Sequence, residues 1–284
     1  MPNFDRFAIV RVGSRGAKAF EFANQRVVFN ITKSDQPTPN SGTISIFNLA
    51  EFSRDKIRNI GDAVELEAGY RQDTVGGRLV ISADVLDIVT EKAGSDLITT
   101  IRLGDGVEFL KSLKAAYSFK PGTSVKTILT KLAKDAGITL KSLSGVLDAT
   151  YANGFSEMGP LGDILDKLVG KLGAQWSFQN NELQIIPKLG SNDSPVFKLS
   201  NKTDMVGIPT RDVDTSNVTP TPQSDGWKVV TLLKPELGPG DRVVIESEVT
   251  DASGIYHIKE VTHSGDTFAG DWTSTLRVRE SSNA

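Results

Sequence analysis

The sequence contains no cysteine, which removes disulfides, thiol nucleophiles and cysteine-based zinc sites together. Histidine is nearly absent too, with only His257 and His263. They fall on one parity of an expected strand, about 20 Å apart at ~3.3 Å per residue. One metal ion cannot hold both on an unbroken strand. Long apolar runs are also missing. The longest are a handful of residues, against the ~20 that a spanning helix needs, so no membrane insertion is expected. The opening MPNFDRFAIVRVGSRG lacks the apolar centre of an export signal, and the expectation is folding in a cytoplasm. Basic runs are absent as well: Lys and Arg total 32 against 35 Asp and Glu, for a net charge of −3. Nucleic-acid binding through several phosphate-neutralising cations on one face is not expected.

What is present is enough for a sizeable interior. A chain of 284 residues with 38% hydrophobic content supports two or three cores, at roughly 100–150 residues per domain. The first hundred residues read as strands. Val64, Leu66, Ala68 and Tyr70 alternate with Glu65 and Glu67, the period-2 pattern. Val27, Phe29 and Ile31 alternate likewise, as do Ile44 and Ile46. Further β-branched runs cover 77–89 and 98–103, and turn-like stretches at 34–42 and 71–77 separate them. Five or six short strands imply an antiparallel sandwich or barrel over residues 1–104.

The pattern then changes. A short helix is expected from Asp105 to Ala115, on the spacing of Val107, Leu110 and Leu113. An internal repeat follows, in which residues 119–140 align with 155–176 at an offset of 36 and no gap. Each copy is an amphipathic helix with apolar residues at i, i+3, i+4, i+7 and i+11. Thr123 is the expected N-cap of the first helix, and Pro160 suits the first turn of the second. Gly137 and Gly173 stand where a left-handed residue ends a helix. Asn180–Asn181 between two apolar runs predicts a hairpin. Residues 105–190 thus read as a small α/β domain.

From Ser191 the chain is loop-rich, and residues 212–226 read as an exposed loop. Strands are expected at 227–233, 242–249, 255–263 and 272–279. A second barrel-like β domain over 191–284 is the reading.

No enzyme signature emerges. His263, Ser264, Asp266 and Asp271 are close in sequence, but adjacent loop residues rarely supply triad geometry, and a hairpin connection is the simpler account. VGSRGA at 12–17 is too short for a phosphate-cradling loop and lacks its Lys-Ser/Thr ending. Carboxylate pairs for glycoside hydrolysis converge from distant strands, and none is distinguished. Trp176, Trp227 and Trp272 are scattered over strand-like segments, as core residues would be. No catalytic, cofactor-binding or metal-binding residue is nominated, and no cofactor is expected.

Three collinear segments carry a resemblance. In SIFNLAEFSRDKIRNIGDAVELEAGY (45–70) the matching residues are Ile46, Asn48, Leu49, Arg54, Ile57, Gly61, Val64, Leu66, Ala68, Gly69 and Tyr70. With FKPGTSVKTILTKLAKDAGI and the closing LLKPELGPGDRVVIES…GIYHIKEVTHSGDTFAGDW, the sequence resembles the baseplate hub proteins of contractile-tailed bacteriophages. These include the Mu-like and T4-like hubs, which are related to the base of type VI secretion spikes. The resemblance implies an α+β, mainly β fold: two tube-like antiparallel β-barrel domains flanking a small α/β domain. It implies a homotrimer whose pseudo-sixfold ring meets a hexameric tail tube on one side and a trimeric central spike on the other. Partners would be the central spike protein, the tail tube protein, and the tape-measure and other baseplate proteins. DNA would pass through the lumen, to which a mildly acidic chain is suited. The protein would be assembled in the host cytoplasm and reside in the virion tail baseplate. No appended lysozyme domain is evident. The competing expectations are a tail-tip cell-wall hydrolase and a receptor- or glycan-binding tail protein.

Overall fold

The computed structural model describes residues 5–14, 18–57, 62–71, 77–107, 114–143, 145–188, 190–192, 194–212 and 226–280. Its first part contains β1 (Arg6–Gly13), β2 (Phe20–Phe22), β3 (Val27–Ser34), β4 (Ser41–Phe47), α1 (Glu51–Lys56), β5 (Ala63–Tyr70), β6 (Arg78–Ala93) and β7 (Asp96–Gly104). The expected alternation is realised: Val64, Leu66, Ala68 and Tyr70 of β5 are all buried, and Glu65 is exposed. β6 is longer than the sequence implied, and a bulge between Val85 and Asp87 interrupts its pairing with β7. The IFNL turn has a local cause. Asn48 sits at φ 55, a region that Asn tolerates better than other side chains. Its amide exchanges hydrogen bonds with the start of β7, accepting from Leu97 N–H at 2.9 Å and donating to Asp96 at 2.9 Å. Leu49 and Ile57 then bury at either end of α1.

The middle part contains β8 (Lys114–Phe119), β9 (Thr123–Ser124), α2 (Val125–Asp135), β10 (Thr139–Ser142), β11 (Thr150–Tyr151), β12 (Phe155–Pro160), α3 (Leu161–Lys171), β13 (Ala174–Gln179) and β14 (Glu182–Pro187). The repeat proves to be a strand–helix–strand unit used twice. β8 and β12 pair antiparallel with Phe119 opposite Phe155, the two residues that the 36-residue offset aligns. α2 buries Val125, Ile128, Leu129, Leu132 and Ala133, and α3 buries the five residues 36 positions on. β10 and β13 flank β14 in one three-stranded sheet.

The helix ends correct the expected caps by one residue. Ser124, not Thr123, caps α2, its hydroxyl accepting from Thr127 N–H at 3.2 Å. Pro160 is itself the N-cap residue of α3. Gly137 at φ 68 ends α2 as expected, with Ile138 N–H bonded back to Ala133 O at 2.8 Å. The helix expected at 105–115 falls mostly outside the described residues, and Lys114 and Ala115 at its end belong to β8. The loop expected at 212–226 also lies mostly outside them.

The last part contains β15 (Phe197–Ser200), β16 (Thr210–Asp212), β17 (Gly226–Leu232), β18 (Arg242–Glu246), β19 (Gly254–Asp266) and β20 (Trp272–Glu280). β15 and β16 were not anticipated, being too short to show a period. β15 pairs parallel with β18, so the region is not purely antiparallel.

The first and last parts are joined through one strand. Along one edge β19 pairs with β20; along the other, Gly254–His257 pair with β18 and Glu260–Asp266 pair with β3. The result is a 13-stranded sheet running β16-β17-β20-β19-β3-β4-β7-β6-β5-β1-β2, with β18 and β15 branching from β19. The mainly-β class is as expected. Among the described residues, however, no pairing closes either half into a ring, because β2 and β16 end the path.

Three buried clusters fill the molecule. One lies under β1–β7, one in the middle part, and one under β15 and β17–β20. Leu233 and Trp272, from the last part, belong to the first cluster. The Trp272 ring meets Phe29 edge-on at 5.5 Å and Tyr70 at 6.4 Å. Gly265 lies opposite both Trp272 and Phe29 in the ladder. A methyl there would strike the Phe29 ring and come within 2.7 Å of Trp272, so glycine is required for the two aromatics to close over the strand. Replacing Trp272 by alanine is expected to cost about 3–5 kcal/mol in urea unfolding, with Gly265→Val also destabilising. A loss under about 1 kcal/mol for Trp272→Ala would show that the aromatic contact does not hold the two parts together.

Candidate assembly edges and the three-way joint

The hairpin tip between β13 and β14 is Asn180–Asn181, with φ 59 and 63. Both residues are left-handed, as the favoured two-residue hairpin turn requires. That geometry points their N–H groups at one buried carboxylate. Asp105 accepts from Asn180 N–H and Asn181 N–H, each at 2.7 Å, and from the Asn40 amide at 3.1 Å. Asn40 also donates to Phe178 O at 2.7 Å, and the Gln179 amide donates to Ser34 O at 2.8 Å. Lys33 donates to Val80 O at 3.1 Å and to the Asn180 side-chain oxygen at 3.2 Å. The Gln184 amide donates to Pro239 O at 2.8 Å. The middle part is therefore bonded to both β parts, through side chains that are almost all buried.

Burial sets the electrostatics of this joint. It pushes the Asp105 carboxyl up from its ordinary range, against the N–H groups and the Lys33 ammonium, which favour the charged form. Asp35, which accepts from the Gln175 amide at 2.7 Å, is raised by burial as well. The Lys33 ammonium, 4% exposed, is lowered to about 8, chiefly by desolvation.

The two histidines do not share a face. The bulge between Ile258 and Glu260 inserts one residue into β19, which flips the strand's parity. His257 lies opposite Arg242 and Arg279, while His263 lies opposite Ser274 and Ile31. Because the bulge lies between them, the unbroken-strand spacing does not apply, and both side chains are buried. His263 Nδ1 meets the Ser274 hydroxyl at 2.8 Å, deep in the sheet. Ser264 accepts from Asn30 and Asp266 binds Arg26 at 2.7 Å, so His263, Ser264 and Asp266 each serve a different neighbour. Residues 267–271 connect β19 to β20, as the hairpin expectation had it. The three tryptophans are all buried, one in each cluster. Among the described residues no group of three or more metal-ligating side chains is present, and no helix is long and apolar enough to cross a membrane.

What the fold leaves open is strand edge. Among the described residues β2 and β16 each have one partner, and β15 pairs only with β18. Beyond Asp84, β6 has β7 on one side and no strand on the other among the described residues. Exposed Phe20 lies on β2, and exposed Leu86 and Val89 lie on that free stretch of β6. Val206 and Ile208 precede β16, both exposed. Unpaired backbone flanked by apolar side chains is a template for adding a strand from another chain. Sequence reading missed β16 for its brevity and Asp105 because its partners lie far away in the chain.

No protein-family model matches the sequence, and no curated protein does. Solved structures do. The tail protein from Neisseria meningitidis MC58 superposes with a TM-score of 0.68 at 14% identity, over 98% of this chain and 97% of that one. The 43 kDa tail protein of prophage MuSo2 from Shewanella oneidensis gives 0.69 at 12%, over 97% and 98%. This chain has the phage tail-protein fold. The same fold extends to the E. coli c3393 protein, a component of the type VI secretion system with structural similarity to the T4 tail proteins gp27 and gp5. It gives a TM-score of 0.64 at 13% identity, over 96% of this chain and 77% of that one.

Asp105→Ala would leave the part-buried Asn180 and Asn181 N–H groups without their carboxylate acceptor, while the Asn40 amide would keep Phe178 O and Gln179. The expected loss is about 3 kcal/mol or more, with faster amide exchange at Asn180 and Asn181. A loss below about 1 kcal/mol would mean that the clasp is not structural. Acid should also weaken the fold through the histidines. Burial, aided by Lys33, holds His263 down to about 3; burial, aided by Arg279 and Lys259, holds His257 down to about 4. Unfolded histidine takes up its proton near 6.5. The unfolded chain therefore binds more protons between those limits, and this contribution is complete above pH 6.5 and lost as pH falls toward 4 and 3. Asp35 and Asp105, raised by burial, act in the opposite sense. The stability difference between the native sequence and His263→Gln should shrink as pH drops from 7 to 4, and parallel curves would refute this.

Proposed function

We propose that this chain is the hub of a phage tail baseplate, a non-enzymatic structural protein. Three copies form a pseudo-sixfold ring that joins a hexameric tail tube to a trimeric central spike, with DNA passing through the lumen. The observation that carries the reading is the tail-protein fold over nearly the whole chain, with the β3–β19 ladder joining two β regions in each copy. Two β regions in each of three subunits supply six similar units. The regions 1–104 and 191–284 would line the ring, and 105–190 would sit outside as an insert braced on both. The free edges at β2, β16 and the outer stretch of β6 are where neighbouring subunits would pair. Tail tube, spike, tape-measure and other baseplate proteins are the partners that this arrangement would meet, and the virion tail would be its location.

The buried positions of Trp176, Trp227 and Trp272 lend no support to a sugar-stacking surface, and no carboxylate pair stands out for a hydrolase.

The reading is checked by absolute mass from light scattering after size exclusion, alone and with the candidate spike. A trimer is expected, or a monomer that becomes trimeric on the spike. A monomer indifferent to the spike would overturn the proposal.

A further inference from the structure

A cleft of ≈ 330 Å³ opens where the three parts of the molecule meet. Its walls come from β3, the start of β6, β10, the Asn180 hairpin tip and the loop 235–241. Three cations line it among the described residues: Lys33, Arg78 and Lys141. Among the described residues none of the three has a carboxylate within 4.0 Å, although ion pairs are common elsewhere on the surface. Lys33 is the unusual member. Its ammonium is buried and bonded only to a backbone carbonyl and an amide oxygen, so a full charge is out of water without a counter-ion in contact. Buried charges are ordinarily paired. Asp241 also lines the cleft, bonded to Gly238 N–H at 2.7 Å and to the Asn192 amide at 2.8 Å. Its charge and that of Asp105 favour the Lys33 ammonium from a distance, but neither carboxylate comes within 4.0 Å of it. Among the described residues Glu236 is the only other acid on the wall.

We infer that this cleft is a binding site for a compact oxyanion bearing two or more negative charges, of the phosphate or polycarboxylate class. Arg78 offers a planar fork of donors suited to two oxygens at once. Lys141 adds a second exposed charge, and Lys33 supplies the one at the floor. The volume accommodates a small ion or a single substituent group, not a polymer. Lys33, held down to about 8 by burial, would regain its ordinary proton affinity with an anion against it. Because the walls come from all three parts, an occupant would tie them together and raise the stability of the whole chain. This inference is independent of the hub reading, since it concerns a single copy.

The test is thermal unfolding of the full chain at pH 7 and constant ionic strength, with chloride exchanged for inorganic phosphate or for citrate up to 10 mM. A saturable rise in Tm of about 3 °C is expected for at least one probe, the size that mass action gives near tenfold excess over Kd. A response to phosphate alone assigns a phosphate-type ligand, and a response to citrate alone assigns a polycarboxylate. Arg78→Ala/Lys141→Ala removes two exposed side chains and should abolish the rise. Lys126→Ala/Lys134→Ala, on the outside of α2, should keep it. No rise beyond the chloride control with either probe would overturn the inference, as would an equal rise in the Arg78/Lys141 variant.

Discussion

The structure depends on the ladder between Val28–Ser34 and Glu260–Asp266. Without it the first and last parts would each end in an open edge, and Trp272 would have no Phe29 or Tyr70 to meet. The ladder joins segments more than two hundred residues apart in sequence, so its loop-closure cost must be met by contacts that form only when both parts are ordered. Gly265, beside Trp272 and Phe29, shows how tightly the join is packed.

One strand serves both parts because it bends. The extra residue between Ile258 and Glu260 reorients β19, so that its first half belongs with β18 and its second half with β3. The same bulge separates the two histidines onto opposite faces. Their low proton affinity is then a by-product of burial in two different interiors, which is why neither reads as a catalytic or metal-binding group in the structure.

The middle part is held differently. Its own interior is a duplicated strand–helix–strand unit, with both helices burying the same five positions 36 residues apart. Its attachment to the β parts is polar: a carboxylate, an ammonium and a set of amides, almost all buried and mutually bonded. Such a joint is directional, because each hydrogen bond needs its donor aimed at its acceptor, and it fixes orientation where apolar contact would allow sliding. Within that network the Lys33 ammonium has no carboxylate in contact, and Asp105 acts on it only through space.

The sequence by itself determined the local elements. Alternation in 63–70, the aligned apolar positions of the two helices, Gly137 and Gly173 at helix ends, and Asn180–Asn181 at a turn all encode short-range geometry, and each is legible without neighbours. The resemblance of 45–70 to tail hubs was legible for the same reason, since Asn48 and Leu49 fix a turn locally. The tertiary structure alone decided which strands pair across the chain, that β19 is shared, that β15 runs parallel to β18, and that Asp105, Lys33 and Asn40 converge. Those outcomes depend on residues brought together from distant parts of the chain, and a hydrogen bond or charge pair between them leaves no periodic trace in the order of the amino acids.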